Sequence, residues 1–200
     1  MRDAGRRFRE IVNSPADLRH WELALPRYAE LQLAAAPLAD ELLALGVPDA
    51  RLSMLPGHLR EVLAQPVRGL TPAQQERVLE ALPEFEAMCR ELAAYGIPET
   101  IQHDDLHQYN IYVRDGRPRI LDWGDSSVAH PYFSLVATLR HVEDRGITRA
   151  FLDAWSGDDE TLALAMRVGR IAHTFKLRPR DVPDDDWPRV VALAIDQTSE

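Results

Sequence analysis

Several kinds of residue are scarce in this chain, and each scarcity excludes something. Cysteine occurs once in 200 residues, at Cys89, so no internal disulfide can form and a reducing compartment is expected. Cys89 sits inside a helical apolar pattern, which marks a structural thiol rather than a nucleophile. Lysine also occurs once, at Lys176, so the 23 basic residues are otherwise arginines. No two of the 10 glycines stand two apart, which removes G-x-G-x-x-G, and no G-x-x-x-x-G-K-[ST] occurs. No run of eighteen apolar residues exists, and the start Met-Arg-Asp-Ala-Gly-Arg-Arg lacks the apolar centre of a signal peptide. A soluble, cytoplasmic chain without a membrane partner is expected. The 32 acidic residues outnumber the basic ones to give a net charge of -9, which argues against a nucleic-acid groove. An acidic surface favours a cationic substrate.

What is present suffices for one core, since 46% of the residues are hydrophobic and a chain of this length can bury them. Residues 1–13, with Arg2, Arg6, Arg7 and Arg9, show little apolar periodicity and read as a linker or hinge remnant. Ser14-Pro15 then offers a helix start, and Leu18, Trp21, Leu25, Tyr28, Leu31, Ala35, Leu38, Leu42 and Leu45 recur at helical steps up to Gly46. Pro26 and Pro37 divide that stretch into pieces or kink it. The region holding Pro56, Gly57, Pro66 and Gly69 is expected to be irregular. Thr71-Pro72-Ala73-Gln74 reads as a capping box that opens a helix running to Gly96, with Pro83 as a flaw. Beyond Pro131 a helix closed by Gly146 is expected, then a short one over 148–155. A longer helix opens at Asp158-Asp159-Glu160, and a last one opens at Asp184-Asp185-Asp186.

The chemistry gathers in residues 101–124. Asp105 is followed five residues later by Asn110, and Asp122 precedes Trp123-Gly124. Between them, Asp115-Gly116 is flanked by apolar positions, a strong signal for a two-residue hairpin. Folding that hairpin returns Asp122 to the side of Asn110, so that two acids and an amide converge. Oxygen ligands of this kind suit magnesium, which takes one or two protein carboxylates together with substrate phosphates.

His103-x-Asp105-x-x-x-x-Asn110 followed by Asp122-Trp123-Gly124 has the spacing of the kinase catalytic loop and its metal-binding Asp-Phe-Gly, with Trp in place of Phe. With Leu106 and His107 added, the segment resembles the aminoglycoside phosphotransferase and choline kinase-like family. That resemblance implies an α+β, mostly helical fold: a kinase-like C-terminal lobe over residues 14–200, with a small β-hairpin carrying the catalytic and metal residues. It implies ATP-dependent transfer to a hydroxyl group of a small molecule, with GTP as the other candidate donor and Mg2+ as the metal. Asp105 would be the catalytic base, and Asn110 and Asp122 would hold the metal and its nucleotide. His103 would support the loop and His107 would orient it. Asp125 is read either as a supporting partner of the site or as a helix-capping acid. Asp104 and Gln108-Tyr109 replace residues that are commonly Gly and Pro-Gly in relatives, which affects loop shape and the substrate side.

The same resemblance calls for an N-terminal nucleotide lobe with a lysine that grips the phosphates. Lys176 follows the catalytic loop and cannot be that lysine, and about a hundred strand-rich residues would have to precede Met1. The expectation is therefore a lobe without its nucleotide half, inactive alone, and able to self-associate through the face so left. Two other readings compete. One is a non-catalytic binding or assembly module. The other is a metal-dependent hydrolase built on His103, Asp104, Asp105 and His107.

Overall fold

The computed structural model describes residues 5–7, 10, 18–67, 69–139 and 146–175. Helix α1, Leu18–Ala35, presents Trp21, Leu25 and Tyr28 to the core, each at most 1% exposed. Pro26 lies within α1 without ending it, whereas Pro37 falls in a 3-10 turn, Ala36–Leu38, that separates α1 from α2, Ala39–Ala44. Gly46 then takes a φ of +89°, the left-handed conformation that ends helices at little cost to glycine. The helix start expected at Ser14 and the last helix expected at 184–195 lie outside the described residues, as do His141 and Lys176.

Two proline readings need correcting. The stretch expected to be irregular contains α3, Leu55–Leu63, whose Pro56 occupies the first turn. Proline is tolerated there because that N–H has no helical acceptor in any case. Likewise Pro83 does not flaw one long helix. It opens α5, Leu82–Ala94, while the capping box at Thr71 starts α4, Pro72–Glu80, as expected.

The strands are short. β2, Thr100–Gln102, pairs antiparallel with β5, Ser127–Ala129. β3, Ile111–Arg114, and β4, Arg117–Ile120, form the expected hairpin. Asp115 and Gly116 both take positive φ, 53° and 70°, as the mirror-image hairpin turn requires. A strand within the expected linker, β1 at Arg6–Arg7, adds to the free edge of β3. Two arginines carry no periodicity that would have announced it.

After β5, a 3-10 turn at Pro131–Phe133 leads into α6, Ser134–Leu139. Gly146 opens α7, Gly146–Ala154, and the expected run of the preceding helix over 140–145 lies outside the described residues. Asp158 caps α8, Asp159–Thr174, by accepting the Thr161 N–H at 2.8 Å. One core unites the helices: Tyr28 of α1 stacks on Phe151 of α7, and Phe85, Met88 and Leu92 of α5 are buried with Leu164 and Val168 of α8. Cys89 is buried and free, and burial pushes its thiol up to about 12, so it is structural as its pattern indicated. No described helix is long and apolar enough to cross a membrane.

Candidate active site

β2 delivers the chain to a loop, residues 103–110, that the hairpin carries onward. The loop is held by its own side chains. His103 is fully buried, and its Nε2 lies 2.9 Å from the Leu121 carbonyl. A carbonyl can only accept, so Nε2 carries the hydrogen and Nδ1 is left to accept the Asp105 N–H at 3.2 Å. His103 thereby ties the start of the loop to the residue that precedes Asp122. His107 works in the same way one turn on: its Nδ1 accepts the Tyr109 N–H at 3.2 Å and its Nε2 lies 3.2 Å from Asp105 Oδ2.

Asn110 closes the loop. Its Nδ2 donates to the Asp105 carbonyl at 2.9 Å and to Asp105 Oδ2 at 3.0 Å, which turns the amide oxygen away from the acid as an acceptor for another group. Asp105 Oδ2 thus has two donors, while Oδ1 has none among the described residues, and the side chain is 46% exposed.

The hairpin register places Ile111 opposite Ile120, and the Leu121 N–H donates to the Asn110 carbonyl at 2.9 Å. Asp122, the next residue, is exposed and left-handed, with φ 65° and ψ 53°. Few non-glycine residues adopt this conformation, and aspartate is among the more tolerant. It breaks the strand, and the Asp122 side chain caps nothing in the 3-10 turn Trp123–Asp125 that follows. Asn110 and Asp122 each carry an oxygen of the hard type that suits magnesium. Asp125 ends that 3-10 turn, half-buried, and is not a helix cap.

Beneath the loop lies a buried polar network that no periodicity announced. The Tyr28 hydroxyl meets Ser134 Oγ at 2.5 Å, and both accept the His103 N–H, at 2.7 and 3.1 Å. Gln32 Nε2 donates to Tyr28 Oη, to Ile101 O and to Pro131 O, each at 3.2 Å. Thr138 Oγ1 donates to the Leu106 carbonyl at 2.7 Å. Burial drives the Tyr28 hydroxyl far above the usual tyrosine range, so it stays protonated. On the other side Gln102 Nε2 donates to Asp104 Oδ1 and Ser127 Oγ, each at 2.8 Å, and His173 of α8 lies 3.9 Å from the same Asp104 oxygen. Trp123 packs edge-on against His103, with centroids 5.0 Å apart, and donates its indole N–H to Ile120 O.

The hydrolase reading gains no support from this geometry. Both nitrogens of His103 and of His107 are already engaged, and among the described residues no three His, Cys, Asp or Glu side chains gather as metal ligands.

No curated protein sequence matches the chain. Among solved structures it is similar to an ethanolamine kinase of Plasmodium vivax, with a TM-score of 0.64 and 14% identity over 98% of this chain and 64% of that one. It is also similar to a choline/ethanolamine kinase family protein of Mesorhizobium loti, with a TM-score of 0.58 and 16% identity over 98% of this chain and 65% of that one. The chain therefore spans just under two thirds of the length of each, and the likeness establishes a kinase-like fold. A sequence profile of the phosphotransferase enzyme family matches residues 10–167. With that match over most of its length, and with the loop, the hairpin and the helical body arranged as described, the chain belongs to the phosphotransferase enzyme family.

Proposed function

We propose that these residues are the catalytic lobe of a cytoplasmic small-molecule kinase, which transfers a phosphoryl group from ATP, or from GTP, to a hydroxyl group. The observation that supports this reading is the direct bond between Asp105 and Asn110, together with a hairpin whose backbone bond from Leu121 to Asn110 brings the chain back just before Asp122. Asp105 Oδ1 would accept the hydroxyl proton of the acceptor, while His107 and Asn110 hold Oδ2. The Asn110 amide oxygen and Asp122 would hold Mg2+, which when bound neutralises charge on the transferring phosphate. The overall charge of -9 and the likeness to an ethanolamine kinase and a choline/ethanolamine kinase family protein favour a cationic amino alcohol as the acceptor.

On their own these 200 residues offer no lysine upstream of the loop, and we expect them to turn over negligibly without a further nucleotide-gripping element. The test is a titration with Mn2+ and ATP followed by NMR. Paramagnetic broadening centred on residues 105–110 and 121–124, much weakened in Asp122→Asn, is the expected result. Broadening centred elsewhere, or the same in the variant, would overturn the site. In a parallel phosphotransfer assay, turnover of the bare chain at the usual rate of roughly 1 to 100 per second would overturn the expected inactivity while leaving the site assignment standing.

A further inference from the structure

The hairpin sheet has an outer face whose charged residues have no role in phosphotransfer. Side chains along a strand alternate between the two faces of its sheet, and directly opposed residues share a face. By the register, Ile111, Val113, Pro118 and Ile120 lie on the inner face. That face packs on the core, with Ile111 fully buried and Val113 and Ile120 partly so. The outer face therefore carries Tyr112 between Arg7 of β1 and Arg119 of β4, and beyond them Arg114 opposite Arg117.

Arg7, Arg117 and Arg119 are exposed. Arg7 is held in place: its Nε donates to Tyr112 Oη at 2.9 Å, and its guanidinium lies 5.5 Å from the centre of that ring. A guanidinium has five N–H groups, so Arg7 has others to give. Arg117 and Arg119 form no ion pair among the described residues. Arg114 has Asp115 at 3.6 Å and counts here only as nearby charge. Adjacent strands lie about 5 Å apart, and two residues along a strand span about 7 Å. Arg7, Arg119 and Arg117 therefore frame a patch of roughly 10 by 7 Å.

We propose that this outer face binds a linear polyphosphate group, either free or carried by a nucleoside. Guanidinium groups match phosphate oxygens in geometry and charge. A lone phosphate reaches only part of the patch, whereas a chain of phosphates spans Arg7, Arg119 and Arg117 together. A nucleic acid or an anionic membrane would overrun the patch. The chain sums to -9 even with these arginines counted, so the surface around the patch repels so extended a polyanion. Neither Asn110 nor Asp122 belongs to the patch, so the proposal does not rest on the metal-binding reading.

The experiment is titration of the 200-residue chain with tripolyphosphate, inorganic phosphate and ATP, in EDTA at low salt, followed by NMR and calorimetry. Tripolyphosphate is expected to bind saturably and more tightly than inorganic phosphate, with shifts centred on Arg7, Tyr112, Arg117 and Arg119 and affinity falling as salt rises. Arg117→Gln and Arg119→Gln should each weaken binding about tenfold, and Arg119→Lys less. Arg60→Gln, at an exposed position on α3, removes the same charge and should leave binding unchanged. Thermal melts check that each variant folds. Tighter binding of ATP than of tripolyphosphate would name a nucleoside polyphosphate as the occupant, the reverse order would name the free chain, and both uphold the site. Shifts centred elsewhere, equal weakening by Arg60→Gln, or equal affinity for inorganic phosphate or for an oligo-aspartate peptide would each overturn it.

Discussion

His130 should make this fold acid-sensitive. It lies between β5 and the 3-10 turn Pro131–Phe133, is fully buried, and packs edge-on against Tyr132 with centroids 4.9 Å apart. Its Nδ1 accepts the Tyr132 N–H at 3.3 Å, and its Nε2 has no hydrogen-bond partner among the described residues. Burial with no counter-charge holds the ring neutral and brings its pKa down to about 3. An unfolded histidine titrates near 6.5. The folded value is depressed, so the unfolded chain binds the extra proton below pH 6.5. The stabilisation is therefore complete above that pH and is lost progressively as the pH falls toward 3. Between pH 7 and pH 5 the loss is about 2 kcal/mol, a large share of the 5 to 15 kcal/mol typical of a domain. His130→Asn keeps an acceptor for the Tyr132 N–H and removes the titration. Urea unfolding followed by tryptophan fluorescence from pH 7.5 to 5 should show the variant less stable at pH 7 but losing about 2 kcal/mol less on acidification. Equal losses in the two proteins, within about 0.5 kcal/mol, would refute the assignment.

Two further substitutions probe the scaffold of the site. Thr138→Val keeps the shape but leaves the buried Leu106 carbonyl without its 2.7 Å donor, and should cost about 1 to 3 kcal/mol in urea denaturation. A Cβ at Gly157 would overlap the Tyr132 hydroxyl, which makes no hydrogen bond of its own. Gly157→Ala should therefore destabilise by about 1 to 3 kcal/mol, Tyr132→Phe alone should cost little, and the double variant should recover much of the loss, as a thermal-melt mutant cycle would show.

The hairpin was legible because its turn needs two residues at positive φ, and Asp115-Gly116 is the sort of pair that supplies them. The spacing from Asp105 to Asn110, followed by Asp122 beyond the hairpin, was legible for the same reason: once the turn is fixed, the register follows. Prolines misled wherever their position within a helix mattered more than their presence. Pro56 and Pro83 open helices and Pro26 sits inside one, and only tertiary packing distinguishes these cases. β1 and β5 have two and three residues, too few for an alternation to show. The network under the loop was hidden for another reason: Tyr28 read as one more apolar step of α1, and periodicity does not reveal that its hydroxyl meets Ser134 and the His103 backbone. Nor does periodicity reveal that α8 brings His173 to Asp104.

That hidden network explains how a chain spanning under two thirds of its structural neighbours can hold the site in order. Among the described residues, the groups that hold the loop are His103 and His107 within it, Tyr28 and Gln32 on α1, and Ser134 and Thr138 on α6. Buried polar groups of this kind are costly when a partner is missing, so the loop has few alternative arrangements that keep these bonds. The backbone of the 103–110 loop is therefore held in one arrangement by contacts from α1, α6 and its own histidines.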